Sequence, residues 1–214
     1  RYLMTNLPTN SLQPATLADW RAWLADNHAR PEGVWLITYR PATGKTPFSY
    51  EQAVEEALCF GWIDGQANKL DDERTMLWFA PRRPGSGWAR TNKARIERLI
   101  ADGRMTPAGL SKIEAAQADG SWTLLDSVER LEVPDDLAAE FDKYPDARAH
   151  FDAFPPSARR MALTWIATAK RPETRAKRVA ETARLAQENV RVNRLKYAEG
   201  AATTAFIEQR FAPA

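Results

Sequence analysis

Sulfur and imidazole are scarce in this chain. Its 214 residues include one cysteine, Cys59, and two histidines, His28 and His150. A single cysteine excludes an internal disulfide and a cysteine-built zinc site. Two histidines give no basis for a His-rich metal centre, so neither a metal nor a cofactor is expected. Long apolar runs are also missing: no window approaches the roughly 18 apolar residues of a membrane span. The opening RYLMTNLPTN has no apolar core followed by a small-residue cleavage site, so it does not read as a secretory leader. Together these absences point to a cytoplasmic protein with no membrane partner.

What is present is ordinary in amount and uneven in placement. Hydrophobic residues make up 44% and charged residues 27%, enough apolar content for a folded core. The length suits one large domain or two small ones. The net charge of +2 conceals two basic stretches. Residues 81–104 hold seven Lys or Arg against two acids, and residues 170–196 hold nine against three. The rest of the chain is therefore net acidic. Such asymmetry suggests a basic face that meets phosphate, carboxylate or nucleic acid. Two solvated helix faces are the plainer explanation.

Taken in order, residues 1–13 are polar and expected to be a flexible terminus. Pro14 suits a first helical turn, and Leu17, Trp20 and Leu24 recur at helical spacing. Gly33–Tyr39, rich in β-branched and aromatic residues, reads as a strand. Ser49 and Gln52 have capping-box spacing and open a helix that Gly61 ends. Trp62–Gly65 and Thr75–Ala80, joined through Leu70–Arg74, read as an antiparallel hairpin. Ser86 is placed to cap a helix that Gly103 closes. Thr106-Pro107 opens another, ended by Gly120. Residues 121–134 read as a linker. After them come helices near Leu137–Phe141, Pro145–Phe154, one capped by Ser157, and one starting at Pro172. The expected fold class is α+β: N-terminal helices packed on a small antiparallel sheet, then an all-helical C-terminal unit. The expected domains are 14–120 and 135–198, with a tail at 199–214.

Five stretches carry a resemblance. They are Tyr50–Gly65 (YEQAVEEALCFGWIDG), Phe79–Ser86 (FAPRRPGS), Gly103–Leu110 (GRMTPAGL) and the C-terminal pair Val133–Asp136 and Trp165–Arg175. With these motifs the chain, over roughly residues 14–195, resembles the YdeI/OmpD-associated family, labelled bacteriocin-protection proteins. The resemblance implies a soluble bacterial protein of stress or antimicrobial tolerance. It assigns no residue a catalytic role.

The residues themselves suggest where a ligand would sit. Phe60–Arg104 holds three of the eight Trp and the first basic stretch. A helix start at Ser86 would leave backbone N–H groups free for an anion, and Arg82 and Arg83 would grip it as forks. Trp88, Asn92 and Lys93 follow within the same helix, while Trp35, Tyr39 and Trp62 supply aromatic walls. The competing reading puts the Trp residues in the core and pairs the arginines with Asp71, Asp72 or Glu73. Asp64, between Ile63 and Gly65, suits a buried acid paired with Arg82 or Arg83. As a general acid or base it would make the same pocket an enzyme's. Cys59, four residues after Glu55, lacks a histidine to activate it and reads as a small buried hydrophobe. The favoured partner is a small-molecule or peptide ligand. Nucleic acid, through the basic helices, is the less favoured one. Oligomeric state does not follow from the sequence.

Overall fold

The computed structural model describes residues 7–192. The expected tail at 199–214 lies outside them. The chain forms two compact units. Among the described residues, the first comprises 7–84 and Ala94–Ala115, the second Gly85–Lys93 and 116–192.

The first unit is built on a four-stranded sheet of order β1-β2-β4-β3. Its strands are β1 (Ser11–Leu12), β2 (Val34–Tyr39), β3 (Trp62–Lys69) and β4 (Arg74–Pro81). The expected hairpin is β3–β4, and β2 adds antiparallel to β4, with Leu36 opposite Leu77. The reversal is local chemistry. The Asp71 carboxylate accepts from the backbone N–H of Glu73 and Arg74 and from Arg74 Nε, as an Asx turn does. One strand was not foreseen. Ser11 and Leu12 pair parallel with Trp35 and Leu36, so the stretch expected as a flexible terminus reaches into the sheet.

Two helices cover one face. α1 (Leu17–Asn27) starts at Thr16, whose hydroxyl and Asp19 form a capping box; Pro14 lies before it rather than in its first turn. α2 (Tyr50–Cys59) starts with the expected Ser49–Gln52 box. Val34 and Leu36, Leu77 and Phe79, and Trp62 and Asp64 are buried at alternating positions of their strands, as the period of a half-covered sheet requires; a register shift between Asp64 and Ala67 then brings Ala67 to a buried position. Trp20 lies 5.2 Å from Phe79 between ring centroids, and Trp23 stands edge-on to Trp62. The buried indoles are satisfied: Trp20 Nε1 donates to Ala53 O and Trp62 Nε1 to His28 O, each at 3.0 Å.

Charge ties the helices together. α2 presents Glu51, Glu55 and Glu56. Arg95 and Arg98 of α3 (Arg90–Ala101) hold Glu51; Arg98 and Arg104 hold Glu55; Arg21 and Arg104 hold Glu56. Glu56 is only 5% exposed. α4 (Pro107–Asp119) follows Thr106, whose hydroxyl donates to Cys59 O at 2.6 Å.

The second unit is helical: α5 (Asp126–Glu129), α6 (Asp135–Phe141), α7 (Ala147–Ala153), α8 (Pro156–Ala167) and α9 (Pro172–Gln187). Leu137, Phe141, Phe151, Leu163, Ile166, Val179 and Ala183 form its core. The stretch 121–134, expected as a linker, instead holds α5 and the buried Val128. Trp122 there packs 4.9 Å from Trp88. Apolar side chains at wide spacing hid a short helix that only tertiary packing stabilises. α8 opens on Pro156, so Ser157 sits inside the helix and not at its cap. The end of α8 is closed by arginines from α9: Arg178 donates to Trp165 O and Arg175 to Ile166 O. Arg175 also grips Asp136 with two bonds. Cationic side chains at a helix C-terminus satisfy its last carbonyls.

Two expectations follow. Glu56→Ala leaves Arg21 and Arg104 without their shared acid and should lower stability by about 2–3 kcal/mol, a value reduced because both arginines are a third exposed; urea titration measures it. Hydrogen bonds from Arg95 and Arg175 hold the carboxyls of Glu51 and Asp136 below their usual range. Their contribution is therefore full above about pH 4 and lost as pH falls through the lowered values. The melting temperature should drop more steeply on acidification than in Asp136→Asn.

Candidate functional site

Arg82 and Arg83, which open the first basic stretch, follow the end of β4, and a groove forms beside them. About 600 Å³ in volume, it is lined by Trp78, Arg82, Arg83, Lys112, Glu32 and Asn10, with Pro31, Gly33, Ala80, Pro81 and Pro84. All of these belong to the first unit.

Trp78 is seated by two small residues. β4 lies between β2 and β3. A Cβ on Gly33, just before β2, would come within 2.3 Å of the far edge of the indole and 2.6 Å of Phe79 O. A Cβ on Gly65 of β3 would come 3.4 Å from the near edge. The indole thus lies across the sheet, over one glycine on each side. Trp35 meets it at 63°, ring centroids 5.2 Å apart. Both rings are half-buried, so each keeps surface that a ligand can cover.

The cations are positioned by the backbone. The Arg82 N–H donates to Gly61 O at 2.9 Å, and the Arg82 carbonyl accepts from Lys112 Nζ at 3.2 Å. Gly61 sits at φ 76°, and a Cβ there would meet Lys112 Cγ at 2.5 Å. Glycine is needed for both the left-handed turn and the close passage of the lysine stem. Arg82 is only 6% exposed. Burial pushes its guanidinium down to about 10, and the charge of Asp64 opposes the fall. Arg83 is exposed.

Asp64 is buried on the covered face of the sheet, opposite Phe79, and its Oδ2 accepts from Tyr50 OH at 2.8 Å. The expected Asp64–Arg82 pairing is thus present as a charge interaction. Asp64 does not line the groove. The groove lining offers one carboxylate, Glu32, and no Ser, Cys or His. Its chemistry suits holding a planar anion better than transferring a proton.

The remaining predicted residues separate. Trp62 is fully buried in the core. Tyr39 carries Lys45 over its ring at 5.5 Å, at the opposite end of β2 from Val34. Ser86, Trp88, Asn92 and Lys93 belong to the second unit. The helix expected to start at Ser86 begins four residues later, at Arg90, so Ser86 does not cap it. Its first N–H, on Arg90, points to Glu129 Oε1 at 3.5 Å. A carboxylate of the chain itself stands where an external anion was expected. Trp88 and Asn92 are buried. Lys93 pairs with Asp126 at 2.6 Å and lies over the Trp122 ring. Of the acids considered as partners of the two arginines, Asp71 pairs with Arg74, Asp72 with Lys69 and Glu73 with Lys45. Trp78, Lys112 and Glu32 were missed as site residues. The glycines before β2 and within β3 were the available signal for Trp78, because Gly in a strand marks close approach.

Cys59 is fully buried, and burial raises its thiol above the usual range, which leaves it unreactive. Among the described residues no three His, Cys, Asp or Glu side chains converge as a metal would require, and no helix is long and apolar enough to cross a membrane.

Comparison with known proteins divides along similar lines. Residues 12–112 match a family model described as a domain of unknown function (DUF8412). Residues 130–189 match one described as Bacteriocin-protection, YdeI or OmpD-Associated. The resemblance read from the sequence is borne out over that second stretch, which spans α6 to α9. The motifs YEQAVEEALCFGWIDG, FAPRRPGS and GRMTPAGL fall in the first. No curated protein and no solved structure matches the chain.

Gly33→Ala tests how Trp78 is held. With both the indole and a backbone oxygen in the way, the variant should lose about 1–3 kcal/mol and change the near-UV circular dichroism of the Trp35–Trp78 pair. An unaltered spectrum and stability would show that Gly33 does not seat the ring.

Proposed function

We propose that the first unit binds a small anionic aromatic ligand in the groove beside β4. The observation that carries this reading is the Trp78 indole, laid over Gly33 and Gly65 next to Arg82, Arg83 and Lys112. The ring of the ligand stacks on Trp78, and its negative group lies toward Arg83 and Lys112. Arg82 acts mainly through its backbone and its buried charge. The match of residues 130–189 to a family described by bacteriocin protection supports a role in tolerance of an antimicrobial compound, with that compound or a product of it as the ligand. The groove supports binding rather than turnover, because the acid considered for catalysis, Asp64, lies outside it.

Nucleic-acid association through the last helices draws less support. Arg175 is committed to Asp136, Arg184 to Glu181 and Glu188, and Arg178 to Trp165 O. These side chains hold the second unit together, so three of the nine cations in residues 170–196 are engaged within it rather than placed to follow a phosphate backbone.

The test uses indole-3-acetate and salicylate as probes, with tryptophan fluorescence as the readout. Arg83→Gln and Lys112→Gln should each weaken binding roughly 5- to 10-fold, the size of one charge-assisted hydrogen bond, without unfolding the protein. Trp78→Leu should remove most of the signal. Equal affinity in all three variants would rule the groove out as the site.

A further inference from the structure

The second unit has a groove of its own. It lies along the exposed stripe of α9, where Thr174, Lys177, Arg178, Glu181 and Arg184 recur at spacings of three and four. Tyr144, from the connection between α6 and α7, and Trp165, from α8, form its aromatic part. Its volume is about 570 Å³, within the range of small-molecule sites.

The packing of the unit accounts for only part of this surface. Arg178 lies over the Trp165 ring, 5.3 Å from its centroid, while donating to the Trp165 carbonyl. The indole is thereby fixed in place, and it remains half-buried, as does Tyr144. Arg184 is neutralised by Glu181 and Glu188. Lys177 differs from both arginines. It is exposed, and among the described residues it forms no ion pair. It stands one turn beyond Thr174, which lines the same groove. A fixed aromatic wall therefore lies beside Thr174 and beside a cation that pairs with no acid among the described residues.

We infer that this groove is a second ligand site, for a planar aromatic ring that bears a phosphate or carboxylate. The ring covers Trp165 and Tyr144. The anionic group is held by Lys177, with Thr174 and Arg178 as further donors. Stacking supplies contact area, and the lysine supplies selection for negative charge. The groove lies wholly within the second unit, so the proposal stands independently of the site beside β4. Every residue that carries it falls within the stretch matched by the bacteriocin-protection family model.

The experiment follows the indole N–H resonance of Trp165 in the full-length protein, assigned with Trp165→Phe. Adenosine monophosphate and salicylate are titrated, and adenosine and inorganic phosphate serve as the two halves of the first probe. The expected result is a saturable shift of the Trp165 signal with at least one of the two whole probes. The phosphate arm and the carboxylate arm then identify which anion is taken. Adenosine and phosphate alone should bind at least 10-fold more weakly than adenosine monophosphate if that arm responds. Lys177→Gln, an exposed change that leaves the core intact, should weaken binding 5- to 10-fold. Arg83→Gln should leave it unchanged, which separates this site from the one in the first unit. An unmoved Trp165 signal with both probes at millimolar concentration would overturn the proposal. So would a shift that Lys177→Gln does not affect.

Discussion

A nearly buried carboxylate organises the first unit. A carboxylate held this far from water needs cations beside it. Arg21 from α1 and Arg104 from beyond α3 both do. Because Arg104 also holds Glu55, and Arg98 joins Glu55 to Glu51, the demand of one acid becomes a lattice across three helices. The lattice fixes where α1 and α2 rest on the sheet. That in turn fixes which sheet face is covered and which is left with Trp35 and Trp78.

The tryptophans illustrate the division. Trp20 and Trp62 lie on the covered face, and each gives its indole N–H to a backbone carbonyl. Trp78 occupies the strand position between two core residues, Leu77 and Phe79, so the pleat turns it to the other face. There a glycine on each neighbouring strand lets it lie flat. The same residue type thus fills the core at one position and stays half-buried at another. Strand phase makes the difference, not composition.

Arginine divides in the same manner. Arg95, Arg104 and Arg175 hold acids, Arg178 holds a helix end, and Arg82 is buried beside an acid. Arg83 and Lys112 line one groove and Lys177 the other. Part of the charge asymmetry of the sequence is therefore internal structure.

Much of the fold was legible before any coordinates. The Ser49–Gln52 box, the Leu70–Arg74 turn, the hairpin strands at Trp62–Gly65 and Thr75–Ala80, and the Pro172 start each follow from local rules that involve a few adjacent residues. The family resemblance was legible in the same local strings, and it matches over 130–189. What failed depended on distant partners. Ser86 has the chemistry of a cap, but the helix waits until Arg90, beside Glu129 of another segment. Ser11 and Leu12 form a strand only because β2 offers an edge. Residues 121–134 fold because Val128 finds a core. The site divided on the same line. Arg82 and Arg83 stood out as adjacent charges in the chain. Trp78, Lys112 and Glu32, separated by up to 80 positions, are brought together only by strand pairing and helix packing, because burial and contact are properties of the folded arrangement and not of neighbouring letters.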